Sequence, residues 1–143
     1  MERLEDKNEN SRIHTIGGLE INEDNVEVTV DGEPVKMTPI EYKILLLLMK
    51  NPGRVFSAEE IYERVWNERA INTDTIMVHV RNIREKIEVN PREPKYLKVV
   101  WGVGYKIRKT GVNWDFFLAA VTILGAAFFM IYNYHTIYRK SSQ

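Results

Sequence analysis

The stretch TPIEYKILLLLMKN, residues 38–51, constrains the fold more than any other part of the chain. Thr38, Pro39 and Glu41 have the spacing of a helix start. The threonine side chain accepts from the amide three residues on, the glutamate reaches back to the cap, and proline loses no hydrogen bond at the first helical position. The helix predicted behind this signal carries Ile40, Ile44, Leu45, Leu47, Leu48 and Met49, and so is apolar almost all round. A helix of that kind has no face to offer water and must be surrounded by other elements. Pro52-Gly53 ends it.

The flanking segments supply the surroundings. Upstream, residues 16–38 alternate apolar and polar side chains, with Leu19 and Ile21 in one run, Val26, Val28 and Val30 in the next, and Val35 and Met37 in a third. Asp31-Gly32 is a hairpin turn signal, because both residues tolerate positive φ. The pattern predicts a small antiparallel meander with one buried face. Downstream, RVFS reads as a short strand, and Ser57 with Glu60 opens a second helix whose apolar face is Ile61, Tyr62, Val65 and Trp66. A third helix is predicted over TDTIMVHVRNIREKIEVN, capped by Asn72 or Thr73. Ile76, Val80, Ile83 and Ile87 recur at helical steps and form its buried stripe. Thr75, His79 and Lys86 then lie on one shoulder, Arg84 on the other, and Arg81 and Asn82 on the outer face. Pro91 and Pro94 break this helix, and two strand-like runs flank Gly102-Val103-Gly104 as a terminal hairpin. A meander, a helix, two further helices joined by a short loop, and a hairpin make an α+β winged helix-turn-helix.

The net charge of zero conceals an asymmetry. Residues 1–71 carry 9 Lys/Arg against 15 Asp/Glu, and residues 72–109 carry 9 against 4. The basic segment therefore coincides with the third helix and the hairpin, and phosphate attraction is local.

Taken together, MTPIEYKILLLL, VFSAEEIYERVW, TIMVHVRNIREKIE and GVGYKI resemble, in order and spacing, the DNA-binding domain of OmpR/PhoB-type response regulators, with VanR-like members the nearest in pattern. The resemblance runs from about Gly17 to Ile107, and it implies that the third helix enters the major groove of double-stranded DNA while the wing touches the adjacent backbone or minor groove. The positions it points to are Thr75, His79, Arg81, Asn82, Arg84 and Lys86 on the helix, with Lys106 and Arg108 on the wing. Arg pairs with guanine, Asn with adenine, and a hydroxyl with base or phosphate. For His79 a packed shoulder position is an equal reading, and for Arg84 a phosphate clamp or an internal salt bridge. Trp101 stands where many members have an arginine able to reach the minor groove, so wing contact falls to Lys106, Arg108 or the indole. Members also bind as tandem dimers, which implies a homodimer on DNA. Their receiver domain has no counterpart in the short polar stretch before the first strand, and no phosphorylation switch is expected within these residues.

A second feature sets the chain apart. No Lys, Arg, Asp or Glu occurs between Asp115 and Arg139. At about 1.5 Å per residue, a helix over 116–134 spans roughly 28 Å, close to the ~30 Å hydrocarbon thickness of a bilayer. Trp114 lies at one end, and Tyr132, Tyr134 and Tyr138 lie at the other, an interfacial arrangement. The expected organisation is a flexible polar arm over 1–15, the winged domain over 16–109, a transmembrane helix over 114–135 in contact with lipid through 116–134, and a short tail over 136–143. Lys106, Arg108 and Lys109 slightly outnumber Arg139 and Lys140, which favours a cytoplasmic N-terminal side. The layout is similar to that of ToxR/CadC-type regulators, with the DNA-binding domain in the cytoplasm of a bacterium and a membrane protein as a candidate partner.

No catalysis or cofactor is expected. The three histidines are widely separated and share no metal-ligand spacing. Gly102-Val103-Gly104 lacks the third glycine and the following helix of a dinucleotide loop. There is no cysteine. Two alternatives stand beside the anchored regulator. One is an interaction module at the membrane that no longer binds DNA, suggested by Asp74 and Glu85 on the third helix. The other is a truncated or rearranged two-component output domain.

Overall fold

A computed structural model describes residues 11–109 and 114–141. The chain divides into two compact units, residues 1–110 and 111–143.

The first unit opens with a four-stranded antiparallel sheet in sequential order: β1 (Ile13–Ile16), β2 (Leu19–Asn22), β3 (Glu27–Val30) and β4 (Glu33–Val35). The expected arm over 1–15 is corrected here, because Ile13–Thr15 are paired with β2 in the register Ile13↔Asn22 to Thr15↔Glu20. Their alternation is too short to stand out in the sequence, but pairing satisfies the backbone, and His14 gains Glu23 at 2.8 Å. Residues 1–10 lie outside the described residues. The Asp31-Gly32 turn forms as expected, with φ of 51° and 81°. Val26 does not belong to the strand pattern. It closes the loop before β3 with φ 55° and is exposed, so the buried alternation begins at Val28.

Helix α1 (Pro39–Met49) carries the complete capping box of Thr38 and Glu41. It is surrounded as its composition requires. Ile44, Leu45 and Leu48 are fully buried, and the helix packs on α2 (Ala58–Trp66), α3 (Asp74–Ile87), β1 and the last strand, β6 (Gly104–Ile107). At the start of α2, Ser57 and Glu60 have the spacing of a second capping box, and only half of it forms. Ser57 accepts from the Glu60 amide at 3.1 Å, while the Glu60 carboxylate is drawn to Arg54 at 2.6 Å and to Arg64 at 3.3 Å. The RVFS segment contributes one bridge, Phe56 with Tyr105. The α3 stripe of Ile76, Val80, Ile83 and Ile87 is buried as expected. Of the two expected caps of α3, Asn72 is the one that caps. Thr73 makes no side-chain cap bond, and Asn72 accepts from the Asp74 amide at 3.2 Å.

Strands β5 (Leu97–Val100) and β6 form the terminal hairpin. The base of the hairpin is tied to the rest of the unit: the Gly53 amide donates to Ile107 O at 2.8 Å and the Gly18 amide to the Tyr96 hydroxyl at 3.3 Å. The second unit is a single helix, α4 (Trp114–Ser141). Its segment Ala120–Arg139 is 20 residues long, has a mean hydropathy of 1.3 and is not buried, and is the one helix among the described residues long and apolar enough to cross a membrane.

Candidate nucleic-acid interface

The site is organised by two carboxylates that position α3 and the hairpin. Glu88 follows the last turn of α3 and is buried. Its Oε2 accepts from the Lys95 amide at 2.5 Å, and its Oε1 accepts from the amides of Tyr96 at 2.7 Å and Leu97 at 3.1 Å. One side chain thus folds the loop after α3 back on itself and fixes where β5 starts. Glu41 is the second. Its Oε2 takes the Thr38 amide at 3.0 Å and Lys86 Nζ at 2.5 Å. Burial raises the Glu41 pKa, but the bonds from Lys86 and Thr38 outweigh burial and hold it below its ordinary value.

The eight residues expected to meet DNA fall into separate settings. Arg81 is on the exposed face of α3, its side chain 79% accessible and paired with Glu85 at 3.3 Å. Asn82 is half-buried beside it. Arg84 lies on the hairpin side, where Nε donates to Leu97 O at 3.3 Å. Thr75 is on the first turn, its hydroxyl donating to Asn72 O at 3.1 Å. His79 is packed on the opposite shoulder, with its ring 6.0 Å from that of Trp66 and its Nδ1 buried without a hydrogen-bond partner; Trp66 in turn stacks on Tyr62 at 4.6 Å. Lys86 is engaged by Glu41, an inward role that the helical wheel alone does not reveal. Lys106 is on β6, in register with Lys98 on β5. Arg108 lies beyond the end of β6, its guanidinium 5.8 Å over the Tyr96 ring and its Nε buried. It belongs to the base of the hairpin rather than to its tip.

Sequence reasoning missed Arg92 and Lys98. The structure gathers Arg81, Arg84 and Arg92 with Glu85 around one depression beside Asn90 and Pro91, and Arg84, Arg92, Lys98 and Trp101 with Glu93 around the next. The available signal was the excess of basic residues over 72–109, which does not say which cations come together. Between α3 and the hairpin runs a third depression, lined by Met77, Val78, Arg81, Val99, Trp101 and Val103 among others. An exposed helix face with a basic border and an adjoining hairpin can lie along a polyanion, with cations on phosphates and neutral side chains toward base edges or sugars. No cluster of three or more His, Cys, Asp or Glu residues able to hold a metal occurs among the described residues.

Residues 32–107 match the family described as transcriptional regulatory protein, C terminal. The transcriptional regulatory protein YcbL of Bacillus subtilis, itself uncharacterised, is 46% identical over 97 residues, covering 67% of this chain and 42% of YcbL. Regulatory protein VanR of Enterococcus faecium is 39% identical over 108 residues, covering 74% of this chain and 46% of VanR. The chain thus spans less than half the length of these curated relatives. Among solved structures, the response regulator DrrB of Thermotoga maritima, an OmpR/PhoB homologue, superposes with a TM-score of 0.65 at 30% identity over 70% of this chain and 46% of DrrB. The DNA-binding domain of the response regulator AdeR, solved with an intercistronic region, superposes with a TM-score of 0.58 at 28% identity over 66% of this chain and 98% of that domain.

Proposed function

From the premise that the chain belongs to the OmpR/PhoB family of DNA-binding transcription-regulator domains, we propose that it is a sequence-specific regulator held at the cell membrane by α4. In this reading α3 enters the major groove of double-stranded DNA, and the β5–β6 hairpin lies on the neighbouring backbone or minor groove. The observation that carries it is the gathering of Arg81 and Arg84 of α3, Arg92 of the following loop and Lys98 of β5 around two adjoining depressions, where four cations outnumber the two carboxylates Glu85 and Glu93. Arg81 and Asn82 are then the base readers, with Thr75 at the first turn and Lys106 toward a phosphate. His79, Lys86 and Arg108 act through packing and positioning. The test is binding of the full chain, in detergent micelles, to a random pool of duplexes across a salt series. Phosphate contact requires affinity to fall steeply with salt. Enrichment of no sequence, or binding indifferent to salt, sinks the reading.

The anchor rests on the length and apolarity of Ala120–Arg139. Twenty helical residues rise about 30 Å, the thickness of a hydrocarbon core. The DNA-binding unit then faces the cytoplasm and acts as a homodimer on DNA, with a membrane protein as controlling partner. Recovery of the intact chain in the soluble fraction after cell lysis removes the anchor from the proposal.

A second reading is favoured by one contact, the Arg81–Glu85 pair, which neutralises a cation on the face meant for DNA. The chain is then a protein-interaction module at the membrane. Replacing both Arg81 and Asn82 by alanine separates the two, because only the DNA reader loses activity.

A further inference from the structure

Trp101 is the most exposed aromatic residue among those described, 93% accessible at the apex of the hairpin. Its position is built. The Val103 amide donates to Val100 O at 3.0 Å, and Gly102 takes φ 72° as the third residue of the turn. The indole is therefore carried on a closed four-residue turn. Val103 and Val99 are also exposed, so the tip of the hairpin is apolar. On one side the tip shares a depression with Met77 and Val78 of α3. On the other it shares one with Arg84, Arg92 and Lys98. An apolar tip bordered by cations matches the side view of a duplex, where phosphates stand on either side of sugar-walled grooves.

We propose that Trp101 is a specificity-determining residue that enters the minor groove as an apolar wedge; the proposal rests on the DNA-binding reading above. A cationic probe at this place is drawn to narrow A-tracts by their enhanced negative potential. An uncharged indole, with a single N–H donor, gains far less from that potential. It gains from contact with the deoxyribose walls and from partial insertion at a step that opens easily. The flexible pyrimidine–purine steps, TA and CA/TG, deform at the lowest cost. The hairpin of this chain therefore selects deformability in the flank of the site rather than a pattern of base edges.

The test uses the full chain in micelles and in vitro selection from a random duplex pool, run in parallel with Trp101→Ala and Trp101→Arg. The substituted side chain is solvent-exposed on a surface turn, so folding is preserved. Wild type is expected to enrich a pyrimidine–purine step beside the α3 site. Trp101→Ala is expected to lose that flanking preference, to bind about tenfold more weakly, as expected when an indole's burial is lost, and to keep its salt slope. Trp101→Arg is expected to steepen the salt slope by about one phosphate equivalent and to shift the flank toward A-tracts. Unchanged affinity and unchanged flanks in Trp101→Ala overturn the wedge while leaving DNA binding intact. Failure of the wild type to enrich any sequence overturns both. In nanodiscs, quenching of the Trp101-dependent emission by brominated phosphatidylglycerol, rather than a response to DNA, assigns the indole to the bilayer surface and also overturns the wedge.

Discussion

Lys86 Nζ stands 2.5 Å from Glu41 Oε2, so the carboxylate that closes the capping box of α1 also holds the C-terminal half of α3. Helix start and interface geometry are thereby coupled through one side chain. Replacing Lys86 by methionine leaves a buried carboxylate with only the Thr38 amide as partner. The expected loss is about 1–2 kcal/mol, moderated because the lysine side chain is itself partly in water. Chemical denaturation of the full chain in micelles measures it. Glu41→Gln, which can still accept the Thr38 amide, is expected to lose less. A lysine that served DNA alone would leave stability unchanged.

Acid sensitivity follows from two carboxylates. Hydrogen bonds from His14 and Lys50 hold the Glu23 carboxyl below its ordinary value of 4.5. Glu41 is held low by Lys86 and Thr38 against the opposing effect of burial. A carboxyl whose folded pKa lies below its unfolded pKa contributes stability that is fully present above the unfolded value and is lost as pH falls through the folded one. The contribution is therefore complete at neutral pH, begins to fall near pH 4.5 and is lost progressively below it. Denaturation midpoints of wild type and the Glu23→Gln, Glu41→Gln double variant are expected to converge as pH is lowered. A gap that is constant from pH 7 to pH 3 contradicts the assignment.

Glu88 satisfies the amides of Lys95, Tyr96 and Leu97 together. Glu88→Ala strands these donors at the root of the hairpin, and a loss of about 2–4 kcal/mol is expected. Hydrogen exchange at Tyr96 and Leu97 is expected to quicken more than exchange within β1–β4. DNA affinity is expected to fall in the same variant although Glu88 touches no phosphate, since α3 and the hairpin lose their fixed relation.

Two hairpin glycines answer to different constraints. A Cβ on Gly104 would stand 2.0 Å from Phe56 O, a backbone atom held in the Phe56–Tyr105 bridge. Gly104→Ala must therefore separate the hairpin from the segment before α2, at about 3 kcal/mol or more. A Cβ on Gly102 meets nothing within 4 Å, and only its positive φ resists substitution, at about 1 kcal/mol. Thermal unfolding of the pair is expected to rank them in that order.

Arg92→Ala is expected to lower affinity for all duplexes alike and to reduce the salt slope by about one, as loss of a phosphate contact does. Arg81→Ala is expected to change which sequences are enriched. Selection and salt titration of both variants distinguish the two roles.

What the sequence revealed was local. The capping box at Thr38, the Asp31-Gly32 turn and the Ile76-Val80-Ile83-Ile87 stripe each depend on neighbours within one or two turns of chain, and each is found in the structure. What it hid depended on distant partners. Lys86 looks like a free shoulder cation until Glu41, 45 residues away, is brought beneath it. Arg108 looks like part of the wing until Tyr96 is seen under its guanidinium. Arg92 and Lys98 carry no signal of their own, because the fold-back at Glu88 brings them beside Arg84. Val26 misled the strand pattern because its apolar side chain serves a turn rather than a core.

The anchoring of the loop after α3 has one further consequence. With the Glu88 carboxylate clasping Lys95, Tyr96 and Leu97, residues 89–94 form a detour whose two ends are pinned together. Closing a longer loop between fixed ends costs only about 0.6 kcal/mol per doubling. Insertions there are expected to leave the spacing between helix and hairpin untouched, so the detour tolerates changes of length as long as Arg92 keeps its place beside Arg84.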